Sequence, residues 1–156
     1  MIKGKPPANL NVFGGFTWLD PQLQGTGPTN AASNGKQVVG VPRIQSNILL
    51  EKQVSQVRGL ALNLNWHHTG SCAGNTTNTI WVAGYDTVDL GARYEHSVKY
   101  GDLTWRITAS NVGDQNYWAS LFPGSIKGPA TTGYSALLGI PRIISTSVRY
   151  SWAKGK

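Results

Sequence analysis

Apolar and polar residues alternate along several segments of this chain. The clearest segment lies at residues 60–67, where every second side chain is apolar: Leu60, Leu62, Leu64 and Trp66. A period of two is typical of a β-strand with one apolar and one polar face, and helical periodicity is nearly absent. The pattern predicts an all-β protein with six long antiparallel strands, at about 9–20, 42–52, 60–70, 85–96, 103–112 and 142–152.

The predicted connections alternate in length. Those at 53–59 and 97–102 are short, whereas 21–41, 71–84 and 113–141 are long and rich in Gly, Asn and Thr. Strands of about 10 residues, with short turns at one end and long loops at the other, are typical of outer-membrane β-barrels. Aromatic residues near the strand ends fit the interfacial girdles of such barrels.

Composition narrows the possible functions. The 156 residues contain 13% charged residues and carry a formal charge of +7, but the basic residues are scattered singly, which argues against nucleic-acid binding. There is no run of 18 apolar residues, so a transmembrane helix is excluded. The single cysteine, Cys72, excludes an internal disulfide framework and is interpreted as an incidental loop residue.

Six strands are too few for a closed transmembrane barrel, which needs about eight. An open sheet would leave unpaired backbone groups in lipid at its two edges. The chain is therefore expected to be an open fragment of a larger barrel. The alternative is a soluble β-sandwich or small-barrel module that binds a carbohydrate-like ligand through loop aromatics. Its apolar strand faces would pack against a second sheet.

An ordered set of segments resembles one protein family. These segments are NLNVFGGFTWLD (9–20), VPRIQSNILL (41–50), GLALNLNWHHTG (59–70), YDTVDLGARY (85–94), ITASNVGDQNY (107–117) and STSVRYSW (145–152). Together they resemble the C-terminal part of a TonB-dependent siderophore receptor of the Gram-negative outer membrane. The resemblance covers essentially all of residues 7–152, and four residues, Ala153–Lys156, follow the last aromatic residue.

The resemblance implies a 22-stranded barrel that encloses an N-terminal plug domain and imports ferric siderophores. Residues 1–156 would be the C-terminal part of that barrel, without the plug or the TonB box, and alone would not transport. The implied partners are a ferric siderophore, the TonB complex through the N-terminal part, the barrel-assembly machinery and membrane lipid. No resident cofactor is implied. The final strand would carry the assembly signal: Val148, Tyr150 and Trp152.

The long loops hold the candidate ligand-binding residues. Aromatic rings together with a lysine could hold an anionic iron chelate by stacking and charge. The candidates are Trp81, Tyr117, Trp118, Phe122, Lys127 and Tyr134. The alternative is that Tyr117 and Trp118 belong to a girdle or pack the loop. The segment from Asn111 to Tyr117 is interpreted as structural.

No catalytic constellation is found, and an enzyme is not predicted. Adjacent strand residues face opposite ways, so His67 should face the lumen and His68 should point outward; the pair cannot chelate one metal. Among the charged strand residues, Asp89 and Glu95 are expected to face the lumen and to pair with Arg93 and Arg106. Arg149 is expected on the same face.

Overall fold

One antiparallel sheet dominates the computed structural model, which describes residues 2–4, 9–25, 27–123 and 134–152. The strands are β1 (Ile2–Gly4), β2 (Leu10–Trp18), β3 (Ile44–Gln53), β4 (Leu60–Thr69), β5 (Cys72–Ala73), β6 (Trp81–Val82), β7 (Tyr85–Val98), β8 (Gly101–Ser110), β9 (Trp118–Pro123), β10 (Tyr134–Leu138) and β11 (Ile143–Trp152). The sheet order is β1-β2-β3-β4-β7-β8-β11. This order confirms the predicted meander of six long strands and adds β1, which was not predicted.

The three long connections contain short elements of their own. The first holds a 3-10 helix, Pro28–Ser33. The second holds the β5–β6 hairpin and the third holds the β9–β10 hairpin. The described residues include no helix that is long and apolar enough to cross a membrane. All three connections leave the same end of the sheet, which we call the loop end; the opposite end, with the two short connections, is the turn end.

The strand register places all the apolar stripes on one side of the sheet, the apolar face. Leu64 lies opposite Leu50 on one side and Leu90 on the other. Farther along, Trp105 lies between Tyr94 and Val148.

This face has no protein layer over it in the described part of the chain. There, the buried apolar residues are Val39, Ala61 and Ala73, whereas Ile107 and Val148 are more than half exposed. The second sheet that a soluble sandwich requires is therefore missing from these residues, and a lipid-facing wall fits the exposure better.

The other side of the sheet is the polar face. Asn47 Nδ2 donates to Asn65 Oδ1 at 2.9 Å, and the Asn65 amide contacts His67 Nε2 at 2.5 Å. Arg93 lies opposite both Ala61 and Arg106 on this face. The predicted register of the arginines is confirmed.

The three loops contact one another above the sheet. Asn78 Oδ1 accepts a hydrogen bond from the Gln37 backbone N–H at 2.7 Å, which joins the first loop to the second. Val39 and Ala73 form an isolated parallel bridge beside it. Gly40, at φ +73°, lies so close to the third loop that a Cβ there would be 2.6 Å from the Leu121 carbonyl oxygen. Because φ is positive and the space is filled, only glycine fits at this position.

Candidate ligand site at the loop end of the sheet

A cavity of about 380 Å³ opens on the polar face at the loop end. Its lining comes from the ends of β4, β7 and β8 and from the third loop: His67, Thr69, Tyr85, Thr87, Asp89, Ser110, Asn111, Tyr117, Ile140 and Ile143. The rings of Tyr85 and Tyr117 stack there, with centroids 4.0 Å apart and planes at 27°. The cavity therefore offers an aromatic surface, a histidine and a carboxylate to a ligand on the polar face of the sheet.

Tyr117 is held in place by the chain that returns from the third loop. Its carbonyl oxygen accepts a hydrogen bond from the Gly139 N–H at 2.7 Å. Its ring lies against Gly139, where any Cβ would collide with the ring carbons. The ring thus has a fixed direction toward Tyr85, and the requirement for glycine comes from this close approach.

Asn111 ties together both ends of the third loop. It is buried and has a φ of +48°, a conformation that asparagine adopts more readily than most residues. Its Nδ2 donates to the carbonyl oxygens of Gln115, at 2.9 Å, and Ile140, at 3.0 Å, while Oδ1 accepts from the Gln115 N–H at 3.0 Å. These bonds support the structural interpretation of this motif.

Among the residues that the structure describes, Asp89 pairs with no arginine, so that expectation was wrong. Its Oδ1 accepts a hydrogen bond from the Asn111 backbone N–H at 2.9 Å, because the end of β8 turns toward β7 at that point. Glu95 does pair with Arg93, at 3.2 Å, and Glu51 approaches the same guanidinium at 3.7 Å.

Asp114 and Arg142 also join the two ends of the third loop. Asp114 Oδ1 accepts a hydrogen bond from the Arg142 N–H at 3.1 Å, and Oδ2 lies 3.5 Å from the Arg142 guanidinium. The two ends of the loop, residues 111–117 and 139–142, are therefore joined at several points. These contacts hold in place the loop end that carries Tyr117.

The two adjacent histidines, His67 and His68, lie on opposite faces, as expected. His67 faces the candidate cavity, whereas His68 lies on the apolar face with its Nδ1 3.0 Å from Asp86 Oδ1. The described residues contain no group of three His, Cys, Asp or Glu side chains with metal-binding geometry.

The structure separates the six candidate ligand residues that the sequence predicted. Tyr117 lines the cavity. Trp81 lines a different cavity, on the side of the apolar face. Trp118 and Phe122 lie on β9 and are about half exposed, and Tyr134 begins β10 opposite Pro123. Lys127 lies outside the described residues.

Of the ten residues that line this cavity, the sequence analysis selected only Tyr117 as a ligand contact, and His67 and Tyr85 are among those that it missed. Both occupy polar-face positions at the loop end of neighbouring strands, and they could have been found from that placement. What the sequence could not show is that Tyr117, far along the chain, folds back onto Tyr85.

The predicted assembly residues lie on the edge strand β11. Val148, Tyr150 and Trp152 share the apolar face, and the rings of Tyr150 and Trp152 meet edge to face with centroids 4.8 Å apart. Among the described strands, β11 pairs only with β8, so its other edge has no partner there.

Cys72 provides a test of loop packing. Burial raises the pKa of its thiol, so the reactive thiolate is scarcer at neutral pH than it is for an exposed cysteine. We expect maleimide to label Cys72 slowly at pH 7 and faster as the pH rises. The matched control is the double variant Ser71→Cys/Cys72→Ala, with the thiol at the neighbouring exposed position. Equal labelling rates at pH 7 would contradict the packing of this loop.

Comparison with known proteins places this geometry in a family. Residues 4–112 match the family model described as TonB dependent receptor-like, beta-barrel. The chain is 32% identical over 147 residues to the ferrichrome receptor FcuA of Yersinia enterocolitica. The alignment covers 94% of this chain and 18% of that relative. A second relative, the probable TonB-dependent siderophore receptor PiuA of Acinetobacter baumannii, is 24% identical over 147 residues. That alignment covers 89% of this chain and 19% of the relative.

Solved structures agree in fold. The ferric preacinetobactin receptor BauA of Acinetobacter baumannii superimposes with a TM-score of 0.78 at 30% identity, covering 95% of this chain and 20% of the receptor. This chain thus spans about a fifth of the length of the proteins it matches. The chain belongs to the TonB-dependent receptor β-barrel family, whose members lie in the outer membrane of Gram-negative bacteria.

Proposed function

We propose that this chain forms part of an outer-membrane receptor that imports a ferric siderophore with energy from the TonB complex. The observation that carries the proposal is the cavity at the loop end, where Tyr85 and Tyr117 stack on the polar face beside His67. In a barrel, the polar face lines the interior and the long loops face the outside of the cell. The cavity would therefore meet a ligand that arrives from outside.

The chemistry of the cavity suits a bulky, polar chelate. Stacked aromatic rings bind flat or partly apolar groups, and Asp89, Thr87 and Ser110 add hydrogen-bonding groups around them. The net charge of +7 favours the approach of an anionic complex. The function is binding and gated transport without covalent chemistry, and iron is cargo rather than a resident cofactor.

The partners follow from the same proposal. TonB would act through a part of the receptor outside this chain. The barrel-assembly machinery would recognise Val148, Tyr150 and Trp152 on β11, and lipid would cover the apolar face. Trp118, Phe122, Lys127 and Tyr134 remain predicted ligand contacts of the third loop.

Uptake of a radiolabelled ferric chelate by intact cells tests the proposal. Ferrichrome and ferric preacinetobactin, the ligands named for the relatives, are the first probes. We expect Tyr85→Ala to raise the half-saturating concentration about 2- to 10-fold, because a stacking contact is worth about 0.5–1.5 kcal/mol. Dissipating the proton-motive force should stop uptake of the wild-type protein. The control is Ser147→Ala, on the same face but deeper in the wall. Uptake that is unchanged by loss of the receptor would overturn the proposal for these chelates.

A further inference from the structure

The cavity that Tyr85 and Tyr117 line, here called the tyrosine cavity, contains little charge. Among the described residues that line it, Asp89 is the one charged side chain, and no lysine or arginine is present. The other lining groups are aromatic rings, aliphatic chains, hydroxyls, one amide and the imidazole of His67. A ligand in this cavity therefore meets a negative charge at contact distance and no fixed positive charge.

A chain of hydrogen bonds keeps His67 neutral. Asn47 Nδ2 donates to Asn65 Oδ1 at 2.9 Å, so the amide nitrogen of Asn65 is the atom that faces His67 Nε2, at 2.5 Å. Because an amide NH₂ group can only donate, Nε2 must accept, and an imidazole with one accepting nitrogen carries no charge. His67 therefore does not offset the charge of Asp89.

The carboxylate of Asp89 is held in place but is only partly satisfied. Its Oδ1 accepts a hydrogen bond from the Asn111 N–H at 2.9 Å, whereas Oδ2 accepts none from the described residues. The side chain is half-buried, and no cation among these residues lies within ion-pair distance of it. A partly desolvated charge without an ionic partner favours a ligand that supplies a donor or a positive group.

Neighbouring basic residues do not cancel this charge. Arg93 lies four residues beyond Asp89 on β7, about 14 Å along the strand, and pairs with Glu95. That distance exceeds the screening length of about 8 Å at physiological salt. Arg142, at the base of the third loop, pairs with Asp114. The net charge of +7 therefore acts on the approach of a ligand, whereas Asp89 acts on the ligand once it is bound.

We propose that Asp89 is a specificity residue, which makes the tyrosine cavity select ferric chelates that present a neutral or positive group and reject those that present an anionic one. Like charges repel at contact, and the repulsion is stronger in a cavity than in open water. The ligand class that fits is a ferric tris-hydroxamate, above all one with a free amine. Three monoanionic hydroxamates cancel the charge of Fe³⁺, whereas three dianionic catecholates leave a surplus of negative charge. This inference rests on the proposed function and names the ligand class of the same site.

A matched series of chelates tests the effect of ligand charge alone. A linear ferric tris-hydroxamate with a terminal amine can be acetylated or succinylated at that amine, which gives a positive, a neutral and a negative form of one iron centre. Equilibrium binding of the radiolabelled forms is measured on the detergent-purified outer-membrane protein that carries this chain. We expect the positive form to bind about tenfold more tightly than the negative form, with the neutral form between them. The difference should shrink in high salt.

Asp89→Asn removes the charge and keeps the shape of the side chain. The asparagine carbonyl oxygen can still accept the Asn111 N–H, so the third loop stays in place. We expect the three forms to bind this variant within about twofold of one another. Asp102→Asn makes the same change on the polar face at the turn end, opposite Ser97, and should keep the wild-type order.

Two failures can be told apart. Equal binding of the three forms by the wild type, or an unchanged order in Asp89→Asn, would overturn the charge selection and leave the proposed import of a ferric siderophore standing. Failure of the wild type to bind any of the three forms would overturn the hydroxamate class and the selection together. Failure of the proposed function itself would appear as uptake that is unchanged by loss of the receptor.

Discussion

Replacing Leu64 with arginine is expected to destabilise the inserted barrel by about 2–4 kcal/mol. Leu64 is the fifth of the ten residues of β4, and it lies on the apolar face between Leu50 and Leu90. A guanidinium there would lie near the middle of the bilayer with no water to solvate it. The folded fraction can be measured in outer membranes as the fraction that migrates as a compact, heat-modifiable species on gels, and stability can be measured by urea titration.

The neighbouring position provides the control. Asn63 lies on the polar face directly opposite Glu51, so Asn63→Arg would place the same charge next to a carboxylate inside the barrel. We expect this variant to fold at close to the wild-type level. If both arginine variants lost the compact species equally, the assignment of the two faces would be wrong.

Replacing Asn111 with alanine is expected to cost about 3 kcal/mol and to free the third loop. The substitution removes all three hydrogen bonds of the buried amide, and each buried group left without a partner costs about 1–3 kcal/mol. Alanine is also disfavoured at the positive φ of this position. Because the freed ends carry Tyr117, we expect weaker ligand binding as well as faster proteolysis within the third loop.

The control for this prediction is Asn116→Ala, an exposed asparagine on the same loop. It should leave both proteolysis and the urea midpoint unchanged. Proteolysis of Asn111→Ala at the wild-type rate would contradict the prediction and show that the Asp114–Arg142 contacts hold the loop without Asn111.

Most of the wall could be predicted because side-chain direction in a strand has a period of two. That period assigned the faces of His67, His68 and Arg93 correctly before any pairing was known. It failed where strands are short or where partners come from loops. β1 has only three residues and includes a lysine and a glycine, so no alternation marks it. The bond between Asp89 and the Asn111 backbone was also missed, because backbone donors have no sequence signature.

The loops were predicted as long connections only, and their internal structure was not. The hairpins β5–β6 and β9–β10 are short and carry no repeated pattern. Trp81 and Tyr117 looked equivalent in the sequence as loop aromatics. The structure places them on opposite sides of the wall, and only Tyr117 reaches the interior cavity.

The sequence by itself determined the six long strands, their two faces and the family, because alternation and local motifs depend only on residues that are close together in the chain. The tertiary structure alone decided which loops meet. Gln37 and Asn78 are 41 residues apart, and Asn111 and Ile140 are 29 residues apart. Such contacts depend on sheet register and on the direction in which each loop leaves the sheet. Local periodicity predicts neither the register nor the loop direction, so the cavities at the loop end could be identified only from the three-dimensional structure.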